Sequence, residues 1–248
     1  MSLFEYLLRL GDDSLVMTQR LGEWSARAPE MELDIALSNI ALDQLGAARL
    51  FLTYAGEVEG GGRDEDALAY LRDDTEFRNA QLVEIGDTDF GTAIVKLLFL
   101  SAYQNLLYRA LVTSGDERIA AIAAKAVKET AYHLDFASIW TVRLGDGTEE
   151  SHQRMQAAID EVWPFTHELF ESDDVTRSVA ESEIGVDPAT LREAWEKTIG
   201  TVLQQATLET PTSTWKPTGG RTGVHTEALS YLLAEMQVLH RAHSGARW

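Results

Sequence analysis

An all-α fold is predicted by three observations. Apolar residues recur with helical period through nearly every segment, and no stretch alternates convincingly as a strand would. Glycines, prolines and acidic caps mark the ends of segments long enough for extended helices. Four of those helices are predicted to run for roughly 23–28 residues, with a long crossover between the second and the third. That pattern suits a ferritin-like four-helix bundle in which helices one and two, and three and four, form antiparallel pairs, with additional helices towards the C-terminus. The 248 residues are read as one ferritin-like domain, 1–248, with a bundle core over about 3–144 and packing helices over about 149–243.

The first helix is predicted from about Leu3 to Ala26, and Pro29 closes the gap before the second, about Glu32 to Gly56. Gly60, Gly61 and Gly62 mark a loop. Short helices around Glu65–Arg72 and Thr75–Ile85 fill the crossover. The third long helix spans about Thr92 to Ser114. Gly115-Asp116 then supplies a stop and an N-cap for the fourth, Glu117 to Leu144. Gly145 and Gly147 end it. A further helix covers about Glu149 to Phe170, and the acidic stretch Glu171–Glu183 is read as irregular or briefly helical. Asp187-Pro188 is a strong helix start, capping acid followed by proline, for a helix reaching about Leu208. "ETPTSTWKPTGGRTG" reads as a loop, after which Thr226 caps a last helix to about His243.

Composition narrows the function. Forty acids against 21 bases give a net charge of −19, which repels phosphate backbones and argues against nucleic acid as a partner. The chain has no cysteine, which excludes disulfides, thiolate metal sites and cysteine nucleophiles and fits a reducing cytoplasm. The N-terminus lacks the basic region and apolar core of a signal peptide. No run is read as a membrane span, and a cytoplasmic location is expected.

The polar residues inside the helices pose the chemical question. In "VKETAYHLDFA", Glu129 and His133 lie one turn apart on the apolar stripe of the fourth long helix. A di-iron bundle takes a Glu from each of two helices and a Glu-x-x-His pair from each of the other two. Here the position three before His133 is Thr130, which offers no carboxylate. Glu129, four before it, is on the same face but rotated from His133 by about 40° at 3.6 residues per turn. On the second helix Asp43 is followed three residues later by Gly46, where a histidine would be required. The third helix has no acid, and Gln104 is its nearest polar replacement. Without bridging carboxylates, two Fe(II) ions would be poorly neutralised. Asp43, Gly46, Gln104, Glu129, Thr130 and His133 therefore read as a degenerate pseudo-site. No catalytic, cofactor-binding or metal residue is assigned. The favoured reading of Glu129 and His133 is a structural hydrogen-bonded pair joined by Asp43 and Gln104; an intact di-iron site and a mononuclear site are the alternatives.

The remaining candidates carry less. Asp12, Asp13, Gln19 and Glu23 on the first helix have no partner visible in sequence. His240 and His243 are read as complementing the helix C-terminus, with metal binding the alternative. Trp24, Trp140, Trp163, Trp195, Trp215 and Trp248 are read as core and interface anchors. "KPTGGRTG" places Lys216 and Arg221 on a glycine-rich loop that contacts either a partner or a phosphate-bearing ligand such as CoA, though it lacks the context and ending of a P-loop.

Four separated blocks, "DIALSNIALDQLGAARLFLTYAGEVEG", "AAKAVKETAYHLDFASIWTVRLGDGTEESHQRMQ", "GVDPATLREAW" and "GGRTGVHTEALSYLLAEMQVLHRAHSGARW", resemble the C-subunit (PaaC) family of bacterial phenylacetyl-CoA 1,2-epoxidases over nearly the whole chain. The resemblance implies a place in a multicomponent di-iron monooxygenase that converts phenylacetyl-CoA, O2 and NADPH to the ring 1,2-epoxide in aerobic phenylacetate breakdown. It implies a homologous catalytic A subunit that carries the di-iron centre, and a reductase with FAD and an iron–sulfur cluster. The C subunit would hold no cofactor and pair with A, as a heterodimer or higher assembly, in a structural and regulatory role. A free-standing ferritin-like metal-binding oxidase and a generic helical interaction protein are the alternatives. The second helix bears apolar residues in nearly every direction, among them Ile35, Leu37, Ile40, Leu42, Leu45, Leu50, Phe51 and Leu52, which predicts that part of it faces another chain, with a homodimer using that face in A's absence.

Overall fold

A computed structural model of the chain describes residues 2–243; Trp248, one of the expected anchors, lies outside them. Among the described residues every regular element is helical. In chain order they are α1 (Ser2–Gly22), α2 (Met31–Glu59), α3 (Glu65–Tyr70), α4 (Gln81–Glu84), α5 (Phe90–Leu111), α6 (Glu117–Gly145), α7 (Glu149–Val162), α8 (Asp174–Glu181), α9 (Arg192–Gln205) and α10 (Glu227–Ala242), with short 3-10 turns between some of them. The all-α class holds, and the four long helices fall where the periodicity puts them. The chain gathers into two compact units, one formed by the residues up to Gly86 together with those from Thr218 onward, the other by Asp87–Pro217.

In the N-terminal unit α1 and α2 form an antiparallel pair. Thr18 Oγ1 donates to the Ala41 carbonyl at 3.2 Å, while Gly11 lies against Phe51 and Leu52, so the register runs in opposite directions along the two helices. The approach at Gly11 is close: a Cβ there would sit 2.8 Å from the Leu52 side chain. Leu7, Val16 and Met17 on α1 and Leu37, Ile40 and Phe51 on α2 are buried.

The crossover differs from the sequence expectation. In place of one helix over Thr75–Ile85 there is a 3-10 turn at Asp74–Glu76, an extended stretch, and then the single turn of α4. The cause is competition for backbone donors. The Arg78 N–H donates to Asp12 Oδ2 and the Ala80 N–H to Asp13 Oδ1, both at 2.8 Å, so amides a helix would use are drawn to carboxylates on α1. α1 also stops at Gly22, earlier than Ala26, which adopts a left-handed conformation in the turns that follow.

In the second unit α5 and α6 pair antiparallel, with Phe90 edge-on to Trp140 at one end and Asn105 bonded to the Val127 carbonyl at 3.2 Å further along. α5 is buried along almost its whole length. Trp195 on α9 donates from Nε1 to the Phe99 carbonyl at 2.9 Å and stands in an aromatic cluster with Phe99, Trp163 and Phe170. Trp215, in contrast, is largely exposed and meets Phe165 edge-on. The helix expected over Glu149–Phe170 is α7 as far as Val162 and a 3-10 segment from Trp163, where Pro164 removes a backbone donor. The acidic stretch after it forms α8, capped by Asp173. His152 Nδ1 donates to the Gly145 carbonyl at 2.7 Å and so completes the end of α6.

Two helices, α2 and α5, are long and apolar enough to cross a bilayer, which the sequence reading did not expect; 89% of the relevant window of α5 is buried within the protein, as in the core helix of a globular chain.

Replacing Gly11 by valine places methyl groups into the Leu52 contact. We expect a loss of roughly 1–3 kcal/mol, read as a lower urea midpoint with an unchanged slope.

Candidate functional site

The six pseudo-site residues divide between the two units. Asp43 and Gly46 lie on α2, both partly buried. Gln104 on α5 and Thr130 and His133 on α6 are buried. Thr130 Oγ1 donates to the Ala126 carbonyl at 2.9 Å and accepts from Asn105 Nδ2 at 3.3 Å, so its hydroxyl ties α6 to α5. Asp43, Gln104 and His133 all engage neighbours, and the His133 ring lies edge-on to Tyr132. Glu129 is a correction to the sequence reading. Its side chain is partly exposed, and its carboxylate meets Lys125 Nζ, one turn earlier on the outer side of α6, at 2.6 Å.

This donor set does not suit a di-iron centre. Gly46 has no side chain, the Thr130 hydroxyl is committed, α5 carries no acid, and Glu129 is held by a cation. Among the described residues no three His, Asp or Glu side chains gather as metal ligands would. The His240 ring stacks on Tyr70 with centroids 4.7 Å apart.

The densest polar chemistry in the N-terminal unit is elsewhere, and sequence reasoning missed it. Asp12 and Asp13, adjacent on α1, are both buried. Arg72 reaches Asp12 with both terminal nitrogens, at 3.0 Å for Nη1, and its guanidinium lies 4.2 Å from the centre of the Phe77 ring. Arg221 grips Asp13 in the same two-pronged way, at 2.9 and 2.8 Å, and donates to the Arg78 carbonyl at 2.9 Å. Burial pushes the Asp13 carboxyl above its ordinary value, against the opposing pull of Arg221. Glu84 is the third buried acid, with no exposed side-chain surface. Its Oε1 accepts the Thr226 N–H at 2.6 Å, and its Oε2 accepts Asn79 Nδ2 and meets His225 Nδ1, each at 2.7 Å. Arg20 donates to its backbone carbonyl from Nε at 3.0 Å. Every charge here has a geometrically matched partner, as burial demands.

The network also decides the role of the glycine-rich loop. Arg221, read as a phosphate or partner contact, is a partly buried counter-ion to Asp13. Gly223 has a left-handed backbone and sits so close to Thr75 that a Cβ would fall 2.2 Å from its carbonyl oxygen. The glycines thus permit close docking of backbone on backbone. Lys216, in the other unit, is exposed.

A family model described as phenylacetic acid catabolic protein matches residues 1–248. The chain belongs to that family. Among members of the phenylacetic acid catabolic family, it is 49% identical over 243 residues to the C subunit of the 1,2-phenylacetyl-CoA epoxidase of Escherichia coli (strain K12), a match covering 98% of each chain.

Two substitutions separate the buried network from the exposed pair. Arg221→Met strands the Asp13 carboxylate and is expected to cost about 3–5 kcal/mol, with part of the loss recovered by Asp13→Asn in the same chain; chemical denaturation of the three proteins measures both. Glu129→Ala breaks a helix-surface pair and is expected to change stability by less than about 1 kcal/mol, visible as a near-unchanged melting temperature.

Proposed function

We propose that this chain is a non-catalytic, structural and regulatory subunit of a multicomponent oxygenase acting on phenylacetyl-CoA, and that it pairs with a homologous catalytic A subunit in the cytoplasm. The near full-length likeness to the C subunit of an epoxidase supports the pathway and the complex. The observation that carries the non-catalytic role is the donor set itself, in which glycine, threonine and an acid-free helix occupy positions where a di-iron bundle needs carboxylates and histidine. In this reading the di-iron centre belongs to A, and a flavin and iron–sulfur reductase supplies its electrons. A free-standing ferritin-like oxidase would need Glu129 and His133 to hold metal, and the Lys125 contact opposes that.

α2 supports the pairing. Phe51, Leu37, Ile40 and Leu52 are fully buried, but Met31, Ile35 and Leu42 are 76, 56 and 63% exposed. Their spacing of four and seven residues places them on one outer stripe of the helix, continued by Leu50. An apolar stripe of this length on a chain of net charge −19 fits the face of another helix. A stable pairing of this kind buries at least about 2,000 Å2 in total.

Co-expression with the A subunit tests the proposal. The chain is expected to co-purify with A and to raise epoxidation above that of A alone, while elemental analysis finds no stoichiometric iron in the isolated chain. Leu42→Asp, at an exposed position, is expected to weaken co-purification at least tenfold without lowering the melting temperature. Retention of A by this variant would rule out the α2 face, and two irons in the isolated chain would rule out the non-catalytic role.

A further inference from the structure

The segment from Thr218 to Ala242 returns to the N-terminal unit as an arm that makes several long-range polar contacts. Gln81 Nε2 donates to the Val224 carbonyl at 2.9 Å, Arg20 to the Ala228 carbonyl at 3.1 Å, and Gln237 to the Ala69 and Arg72 carbonyls at 3.0 Å. The buried apolar residues of α10 are Leu229, Leu232 and Leu233. At the entry to α10 stands His225, whose side chain is almost completely buried.

The protonation of His225 follows from its neighbours. Nε2 lies 3.1 Å from the Phe77 carbonyl oxygen, which can only accept, so Nε2 carries a hydrogen. Nδ1 lies 2.7 Å from Glu84 Oε2. That carboxylate already accepts the Thr226 N–H and the Asn79 amide, the hydrogen-bond pattern of an ionised acid. The Asn79 orientation is fixed as well, because its nitrogen faces both Glu84 and the Ala80 carbonyl, two acceptors. Nδ1 therefore carries a hydrogen too. A neutral imidazole, in either tautomer, would turn one lone pair towards an oxygen.

We infer that His225 is the proton-operated latch of the C-terminal arm: as imidazolium it bridges Glu84 and Phe77 and holds the arm docked, and loss of its proton loosens the arm. The surrounding charges agree. Asp74 on the adjoining 3-10 turn is held below its ordinary value by the Ser230 hydroxyl, the Thr75 amide and the His225 cation. Arg20 from α1, and Arg78 and Arg221, are turned to acceptors of their own, at the Glu84 carbonyl, Glu5 and Asp13. Asp12 on α1 is matched by Arg72. The docked arm thus binds one proton more than a released arm wherever a free histidine is neutral. Docking is strongest below about pH 6.5, the ordinary histidine value, and its equilibrium constant falls by up to about tenfold per pH unit above it until the docked imidazolium itself titrates.

Hydrogen exchange on the full chain tests the latch. Between pH 6.5 and 8.5, after correction for intrinsic exchange, protection of the α10 amides is expected to fall relative to α5, and His225→Gln is expected to abolish that slope. Equal α10 protection at both pH values, or an unaltered slope in His225→Gln, would overturn the inference. If that variant does not fold, 15N spectra of histidine-labelled wild-type chain decide. The imidazole with through-space contacts to Phe77 is expected to carry hydrogen on both nitrogens at pH 7.5, and a neutral ring there would overturn the latch.

Discussion

Two neighbouring carboxylates on one buried helix set the terms for the N-terminal unit. Asp12 and Asp13 cannot remain in the interior as bare charges, so the surrounding chain is arranged to supply donors to both. Arg72 and Arg221 bring opposite charge, and the Arg78 and Ala80 amides bring hydrogen bonds. Together these donors fix three pieces of chain: the end of α3, the extended stretch before α4, which holds both amides, and the loop before α10. The crossover gives up helical hydrogen bonds to do so. A charge-assisted bond to a carboxylate is roughly twice as strong as the neutral bond it replaces, which makes the exchange favourable.

The second unit joins its two long helices, α5 and α6, through a hydroxyl and an amide. Asn105 and Thr130 join α5 to α6 with neutral groups, and Trp195 commits its indole N–H to a carbonyl of α5. Such contacts fix register without the desolvation cost of a buried ion. Buried charge in this unit includes Lys96, close to Asp87 at 2.6 Å at the approach to α5.

The long helices were legible because apolar periodicity and caps are local. Asp116 and Asp187 cap the elements they precede, as their positions in the sequence suggest. The α4 region was not legible, since its amides answer to acids more than 60 residues away. The same distance hid the roles of Asp12, Asp13 and Arg221: the Asp13–Arg221 contact spans 208 residues. The local hint was there, two consecutive acids inside the apolar run "LLRLGDDSLVM". The placement of Glu129 was readable too, because Lys125 stands at the favoured four-residue spacing, although His133 stands at the same spacing on the other side.

The order in which these partners leave the ribosome gives the discontinuous unit a temporal meaning. Glu84 is translated 141 residues before His225. At about 5–20 residues per second, the early part of the unit waits roughly 7–30 s for that partner. During that interval α1 and the crossover hold acids whose counter-ions do not yet exist, which disfavours premature closure. A nascent chain cut short before Arg221 would leave Asp13 without its cation. The finished polypeptide therefore carries partners for Asp13 and Glu84 that a fragment ending before Arg221 lacks.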